Sequence, residues 1–412
     1  MPRTSLWPYL FLTTVFLGLT LTLVAKQGIA PHETYDESVY HYPTVLAFAH
    51  DLPQPNLTDY QSATTPLYHL TLAGLTLVVG TSILSLRLAS AGFSLACILI
   101  IYTFLRQRKG RSGPAVFFCL LILFSPYFLG PAIRLGTDNA AVVWVVLTLM
   151  LLEPIKLPRP NVFAAALSML FAVLTRQINA WLAAVMLWRM KPAKGTPLSV
   201  TSLWKMLWPI LPATVVLTAF FILWRGPTPP AFISHSRHLS PQAPIYIVSL
   251  LAVYGLFFFP WFLTLWHQYQ PRLSVLALFI STGLALLALT SLSPLTRTET
   301  GGMLWLLAEH LPRLAGTSLI FWLLLPIGLI WLYLLGCHLT SSNDYLFPVA
   351  FIAWALSNIL NAKIYQRYFD TLLLVFLGYA LMDVKPNRKM AWLSPAVLLL
   401  AFALRVLLRY YL

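Results

Sequence analysis

Charge is what this sequence has least of. Only 9% of its 412 residues are charged and 59% are hydrophobic, whereas about a quarter of an ordinary soluble domain is charged. The mean hydropathy is +0.77. A water-soluble fold has nowhere to bury that much apolar surface, so the composition excludes a soluble enzyme and makes lipid the solvent. Acids are scarcer still: 12 Asp and Glu stand against 27 Lys and Arg, for a net charge of +15. No basic run interleaves with stacking aromatics, which excludes a nucleic-acid groove. The excess fits positive residues in cytoplasmic loops, with some left over to meet a phosphate. Three cysteines, Cys97, Cys119 and Cys337, are too few for a disulfide framework or a cysteine metal set, and two lie in apolar runs as small buried hydrophobes. Cys-x-x-Cys, His-Glu-x-x-His and a Gly-rich phosphate loop are all missing, which removes the common zinc and nucleotide motifs. Neither an internal repeat nor a low-complexity tail is visible. The run from Leu6 to Ala25 carries no cleavage signature and reads as a retained first helix.

What the sequence has is a succession of apolar runs. A spanning helix needs about 20 mainly apolar residues, and the candidates are 6–25, 87–105, 114–131, 138–153, 161–176, 178–190, 205–224, 245–266, 273–292, 317–336, 345–361, 370–383 and 391–409. The expected fold class is an all-α polytopic membrane protein with about 11–13 transmembrane helices, a single integral membrane domain over 1–412. Its first outer loop covers 27–86. Within it the segment 66–84 either spans or lies along the interface as an amphipathic helix. If it does not span, the basic runs at 106–111, Lys156/Arg159, Arg189/Lys191/Lys194 and Lys385/Arg388/Lys389 share a side with the N-terminus, the cytoplasmic side by the positive-inside rule. That is the favoured reading. It places loop 27–65, the tips near Asp138 and Arg176, and loops 225–243, 293–316 and 361–369 on the opposite face. The C-terminus, with Arg405 and Arg409, then lands there too, against the rule.

The polar residues that can do chemistry gather on that outer face. Glu33, Asp36 and Glu37 put three of the twelve acids within five positions, directly after the first span. A carboxylate there either caps the helix opening near Ser38 or takes a proton from a substrate hydroxyl as general base. Asp138, in Arg134-Leu-Gly-Thr-Asp-Asn139, either opens the next helix as a cap or serves a function, since charges at the membrane edge are costly; Arg134 lies one turn from it. Arg176-Gln-Ile-Asn179 interrupts an apolar run. Arg176 can grip a phosphate with its planar fork or snorkel to headgroups, and Gln177 and Asn179 can donate to sugar hydroxyls. Lys363 and Arg367 add two cations on the disfavoured face, joined there by Arg87, Arg225, Arg237, Arg297 and Arg313. An anionic substrate or the headgroups of membrane lipids would account for them. His32 and His41 flank the acidic cluster and with Asp36 could make a metal site, but their spacing gives no support for one, and no metal is expected. His235, Arg237 and His238 form a further polar patch, and Asn56-Leu-Thr58 is a glycosylation sequon.

With these residues in place, the chain resembles the GT-C glycosyltransferases, which draw sugars from polyprenyl phosphates on the lumenal or periplasmic face. Within them it resembles the dolichyl-phosphate-glucose α-1,2-glucosyltransferase family, which adds the terminal glucose of the lipid-linked oligosaccharide. The stretches that carry the resemblance are Tyr35-Asp-Glu-Ser-Val-Tyr-His-Tyr-Pro43, Thr64-Thr-Pro-Leu-Tyr68, Thr137-Asp138, Arg176-Gln-Ile-Asn179 with Trp181, and Arg367-Tyr-Phe369. One extra residue separates the acidic pair from His41, so Asp36 or Glu37 can hold the catalytic position, and the middle third does not match, which suggests a bacterial or divergent relative. The resemblance implies a GT-C fold with interfacial helices in the first outer loop. It implies inverting transfer of a hexose, glucose by the family's habit, from a polyprenyl- or dolichyl-phosphate donor to a glycan or lipid-linked acceptor. Asp36 or Glu37 would be the base. Arg176, Arg367, Arg134 and Lys363 would bind the donor phosphate, and Tyr40, His41, Tyr68, Asp138, Gln177 and Asn179 the substrates. No cofactor is expected. The membrane would be a bacterial inner membrane or the endoplasmic reticulum, with the site facing periplasm or lumen. The alternative is a transporter or flippase of lipid-linked sugars, which the same helix count fits. Mid-membrane helix breaks and related halves would mark it, and neither is apparent.

Overall fold

The structure, a computed structural model, describes residues 6–25, 34–153, 161–192, 199–235, 238–292, 300–342, 344–386 and 391–411. In chain order the helices are α1 (Trp7–Ala25), α2 (Tyr42–Asp51), α3 (Leu67–Val79), α4 (Ile83–Lys109), α5 (Ser112–Phe124), α6 (Pro126–Ala132), α7 (Thr137–Leu152), α8 (Val162–Thr175), α9 (Leu182–Met190), α10 (Val200–Leu207) and α11 (Leu211–Trp224). They continue with α12 (Ala243–Phe257), α13 (Phe259–Tyr269), α14 (Leu273–Thr290), α15 (Met303–Glu309), α16 (Leu319–Ser341), α17 (Leu346–Ser357), α18 (Asp370–Leu381) and α19 (Leu393–Tyr410). Among the described residues there are also four two-residue strands: β1 (Thr300–Gly301) pairs in parallel with β4 (Ile364–Tyr365), and β2 (Arg313–Leu314) pairs antiparallel with β3 (Thr317–Ser318).

Every apolar run picked out from the sequence is helical, because in lipid a backbone can satisfy its own N–H and C=O groups only within a helix or a closed barrel. Among the described residues five helices are long and apolar enough to cross a membrane, α1, α4, α14, α16 and α19, or up to eight if each of three bent pairs is one span. The protein is therefore an integral membrane protein. Its helices carry their apolar surface outward: on α14, Leu278 is 69% and Leu289 82% exposed, which only lipid tolerates.

The bends are where the structure departs from the straight spans expected. α5 and α6 meet at 69°, α10 and α11 at 64°, α12 and α13 at 101°. A proline opens the second helix at each break, where its missing N–H costs nothing. Pro126 opens α6 behind Ser125, whose hydroxyl caps Tyr127 N–H at 3.2 Å. Proline likewise occupies the first turns of α11 and α13.

The chain divides into two compact units, Met1–Arg237 with Val406–Leu412, and His238–Arg405. In the first, α7 and α8 pack as a hairpin. Trp144 stands edge-on to Phe171 at 4.9 Å, and Ser168 donates to the Trp144 carbonyl at 2.9 Å. α4 packs beside α7 and α1, with Tyr9 and Thr103 hydroxyls 3.0 Å apart. In the second, α12 lies along α16. There Gly328 meets the Val248 backbone and Gly255 meets Trp331 so closely that neither leaves room for a Cβ.

The segment 66–84 does not form a spanning helix. α3 has 13 residues, about 20 Å of helix against the roughly 30 Å of a bilayer core. It ends at Gly80, whose φ of 79° suits glycine, before Ser82 caps α4.

Candidate active site

The acidic loop is built as a helical entry into α2 with a single π-helical turn, Glu37–His41. Such turns are rare and are frequently found at functional sites. Asp36 precedes it, half-buried, in the first turn of a helical stretch that opens at Tyr35. Glu33 and His32 lie outside the described residues.

The two neighbouring acids have different environments. Glu37 is 2% exposed. Its Oε1 accepts from Arg87 Nε and from the Leu135 backbone N–H, both at 2.9 Å, and its Oε2 accepts from Arg87 Nη2 at 2.5 Å. A fork-to-carboxylate pair of this kind is strong and directional. It keeps an otherwise prohibitive buried charge in place.

α4 supplies more than Arg87. Ser90 bonds the Tyr68 hydroxyl at 2.7 Å and reaches the Arg134 carbonyl at 3.3 Å. Tyr68 in turn accepts from Gly136 N–H at 2.9 Å. Ser94 accepts from Asn139 Nδ2 at 2.9 Å, and the same amide donates to the Phe128 carbonyl at 3.0 Å. Residues 87, 90 and 94 fall on one face of a helix. One spanning helix thus carries a polar stripe that holds the acidic loop, α3 and the turn before α7.

Asp138 stands in the first turn of α7, behind Gly136 as N-cap, where the helix dipole favours an anion. It forms an ion pair with Arg176 Nη1, each side chain 16% exposed. Arg134 Nε donates to the Gly130 carbonyl at 3.1 Å. Arg176 is extended, at φ −150°, and ends α8. Gln177 follows in a short 3-10 turn and works as a staple: its Oε1 accepts from Thr65 N–H at 3.3 Å, and its Nε2 donates to the carbonyls of Ala63 at 2.7 Å and Pro227 at 3.1 Å. Asn179, 7% exposed, donates to the Ala172 carbonyl at 3.1 Å.

His41 Nδ1 lies 3.0 Å from Nε2 of His69, which is fully buried on α3. Burial, then the neighbouring His41, hold the His69 imidazole well below its ordinary pKa. Tyr40 sits edge-on to Tyr35 at 5.7 Å and to Phe232 at 5.1 Å. Desolvation, then the Tyr35 hydrogen bond, raise its phenol pKa.

The first unit therefore brings Asp36, Glu37, Tyr40, His41, Tyr68, Arg134, Asp138, Arg176, Gln177 and Asn179 into one region, where α3, α4 and α7 begin and α8 ends. Within it Tyr68, expected as a substrate contact, is 1% exposed and its hydroxyl is engaged by Ser90 and Gly136. Gln177 and Asn179 have their amides on backbone groups. Lys363 and Arg367 belong to the second unit, where the Arg367 guanidinium lies 5.2 Å from the Tyr365 ring and 5.3 Å from the Tyr368 ring, and Lys363 Nζ 5.7 Å from Tyr365. Among the described residues no group of three His, Cys, Asp or Glu is placed to hold a metal ion. Sequence reasoning missed Ser90, Ser94 and His69 and treated Arg87 only as one of several outer cations. The signal was there: polar residues at helical spacing in an apolar run. In the second unit it missed the buried Asp370, which accepts from the Tyr254 hydroxyl.

No family model matches the chain, and no curated protein matches it. Among solved structures it is similar to ArnT from Cupriavidus metallidurans in the apo state, at 18% identity and a TM-score of 0.43 over 91% of this chain and 76% of that one. It is also similar to ArnT from the same organism bound to undecaprenyl phosphate, at 16% identity and a TM-score of 0.44 over 96% and 79%. No residue of this chain is assigned through that likeness.

Proposed function

We propose that this protein is a glycosyltransferase of the GT-C type that moves a hexose, glucose in the first instance, from a polyprenyl or dolichyl phosphate to a glycan or lipid-linked acceptor at the non-cytoplasmic face. The observation that carries the reading is the division of labour between Asp36 and Glu37. Glu37 is buried and bonded to Arg87 and Leu135, and the half-buried Asp36 beside it is the acid assigned as base. In the same region Arg176 is held by Asp138, and an arginine so oriented suits a phosphate.

Asp36 takes the proton of the acceptor hydroxyl as its oxygen attacks the anomeric carbon. The bond from that carbon to the phosphate oxygen breaks on the opposite side, so configuration inverts and polyprenyl phosphate departs with the electron pair. The leaving group is already ionised, so fixed cations such as Arg176 can stabilise it electrostatically, and the reaction requires no metal. Tyr40 and His41, half-buried beside Asp36, are the substrate contacts.

The test is purified protein with polyprenyl-phosphate-glucose, a panel of glycan and lipid acceptors, and EDTA. Wild type is expected to form a glycoside or slowly hydrolyse the donor. Asp36→Asn is expected to lose about 100-fold or more, the scale of a general base. Movement of a lipid-linked sugar between leaflets without turnover would instead establish a transporter.

A further inference from the structure

Arg87 has no place among phosphate-binding cations, since its Nε and Nη2 both face Glu37 and it is 8% exposed. What it reaches through Glu37 is more informative. The same Oε1 that accepts from Arg87 also accepts from Leu135 N–H. One carboxylate therefore joins three chain segments: the turn after Asp36, the second turn of α4, and the strand of chain three residues before Asp138. One helical turn along α4, Ser90 repeats the pattern, tying Tyr68 and the Arg134 carbonyl, while Tyr68 holds Gly136 N–H. Successive backbone groups at 134, 135 and 136 are thus all fixed by the α4 stripe or its partners. An ion pair that only filled space would not need to capture the backbone that leads into Asp138.

We propose that Arg87 is a positioning residue: through Glu37 and the Leu135 N–H it fixes the segment bearing Asp36 against the segment bearing Asp138 and its partner Arg176. The catalytic consequence rests on the glycosyl-transfer reading above, whereas the structural content does not. Base and phosphate ligand, Asp36 and Arg176, stand 140 residues apart in sequence, and misplacement of reacting groups by 1 Å can cost about 100-fold in rate. A shared strut of this kind sets their separation without touching substrate.

The experiment uses the full-length protein in detergent, comparing wild type with Arg87→Lys and with the double variant Glu37→Leu/Arg87→Met. The double variant replaces the buried pair by apolar side chains of similar size, which proteins often accept without losing their fold. Arg87→Lys keeps the charge but loses the fork, and it decides alone should the double variant not fold. Two quantities are read. The first is hydrogen exchange in peptides covering 35–41 and 134–138, which is expected to speed up by about tenfold or more in both segments together. The second is turnover, where kcat is expected to fall about 100-fold while the KM for donor stays within about threefold, because ground-state binding is left intact. Exchange unchanged in both segments, or faster in 35–41 alone, overturns the proposal. So does faster exchange in both with kcat intact, or a loss confined to KM. A wild type that turns over no donor sinks the glycosyltransferase reading and leaves the exchange result to decide the strut.

Discussion

At the scale of single residues, the site depends on groups whose partners are buried with them. Glu37 and Arg87 are a buried pair whose Coulomb attraction goes largely to offset desolvation, so their worth lies in geometry rather than in stability. His69 is a sharper case. It is fully buried, ringed by Phe48, Tyr60 and Tyr68, and bonded to His41. With its folded pKa lowered by burial and by His41, it stays neutral at pH values where the unfolded chain, titrating near about 6.5, already binds a proton. The unfolded state then holds more protons, so stability rises with pH. His69 contributes stability that is present above about pH 6.5 and is lost as the pH falls below it. Thermal unfolding measured between about pH 5 and 7 is expected to show a shallower acid loss in His69→Gln than in wild type. Parallel curves would mean that the imidazole takes up its proton without cost in the folded state.

At the scale of elements, bends and close crossings matter more than helix propensity. α12 and α16 approach at two glycines: Gly328 faces the Val248 carbonyl oxygen, and Gly255 faces the Trp331 indole. Membrane helices gain most of their association from such close packing. At Gly328 the obstacle is backbone, which cannot swing aside as a side chain can. Gly328→Ala is expected to destabilise by about 1–3 kcal/mol, the usual cost of overpacking. Gly336→Ala, on the same helix with nothing within 4 Å of the added carbon, should be neutral or slightly stabilising, because alanine is the better helix former. Melting of the two variants in one detergent separates them, and equal melting temperatures would refute the close crossing. The π-helical turn at Glu37–His41 and the Pro126 break show the same principle in the first unit, where an interruption of the helix ladder coincides with a change of direction or a functional group.

At the scale of the whole molecule, the open question is which face holds the site. α3 is too short to cross, so only α4 crosses between the first outer loop and the basic run at 106–111. On the positive-inside rule that run is expected in the cytoplasm and the loop outside. In a Cys337→Ser background, a membrane-impermeant thiol reagent is expected to label Asn56→Cys, which is exposed, in intact cells. Gly113→Cys, also exposed, should be labelled only after lysis. The opposite pattern would invert the topology, and labelling of both from outside would mean an even number of crossings between them.

How much of this was legible in the sequence follows from the range of the forces involved. The helices were, because lipid obliges each apolar run to satisfy its own backbone, a condition met within about 20 consecutive residues. The concentration of polar groups at helix ends was legible for the same reason. What the tertiary structure alone decided is which group meets which. Glu37 and Arg87 lie 50 residues apart, Asp138 and Arg176 38, Tyr68 and Gly136 68. Such pairs depend on how far one helix slides and turns against another, and that register is set by packing around the whole bundle. No local stretch of chain encodes it, so the sequence could offer two adjacent acids as equals while the fold buried Glu37 and left Asp36 half-buried.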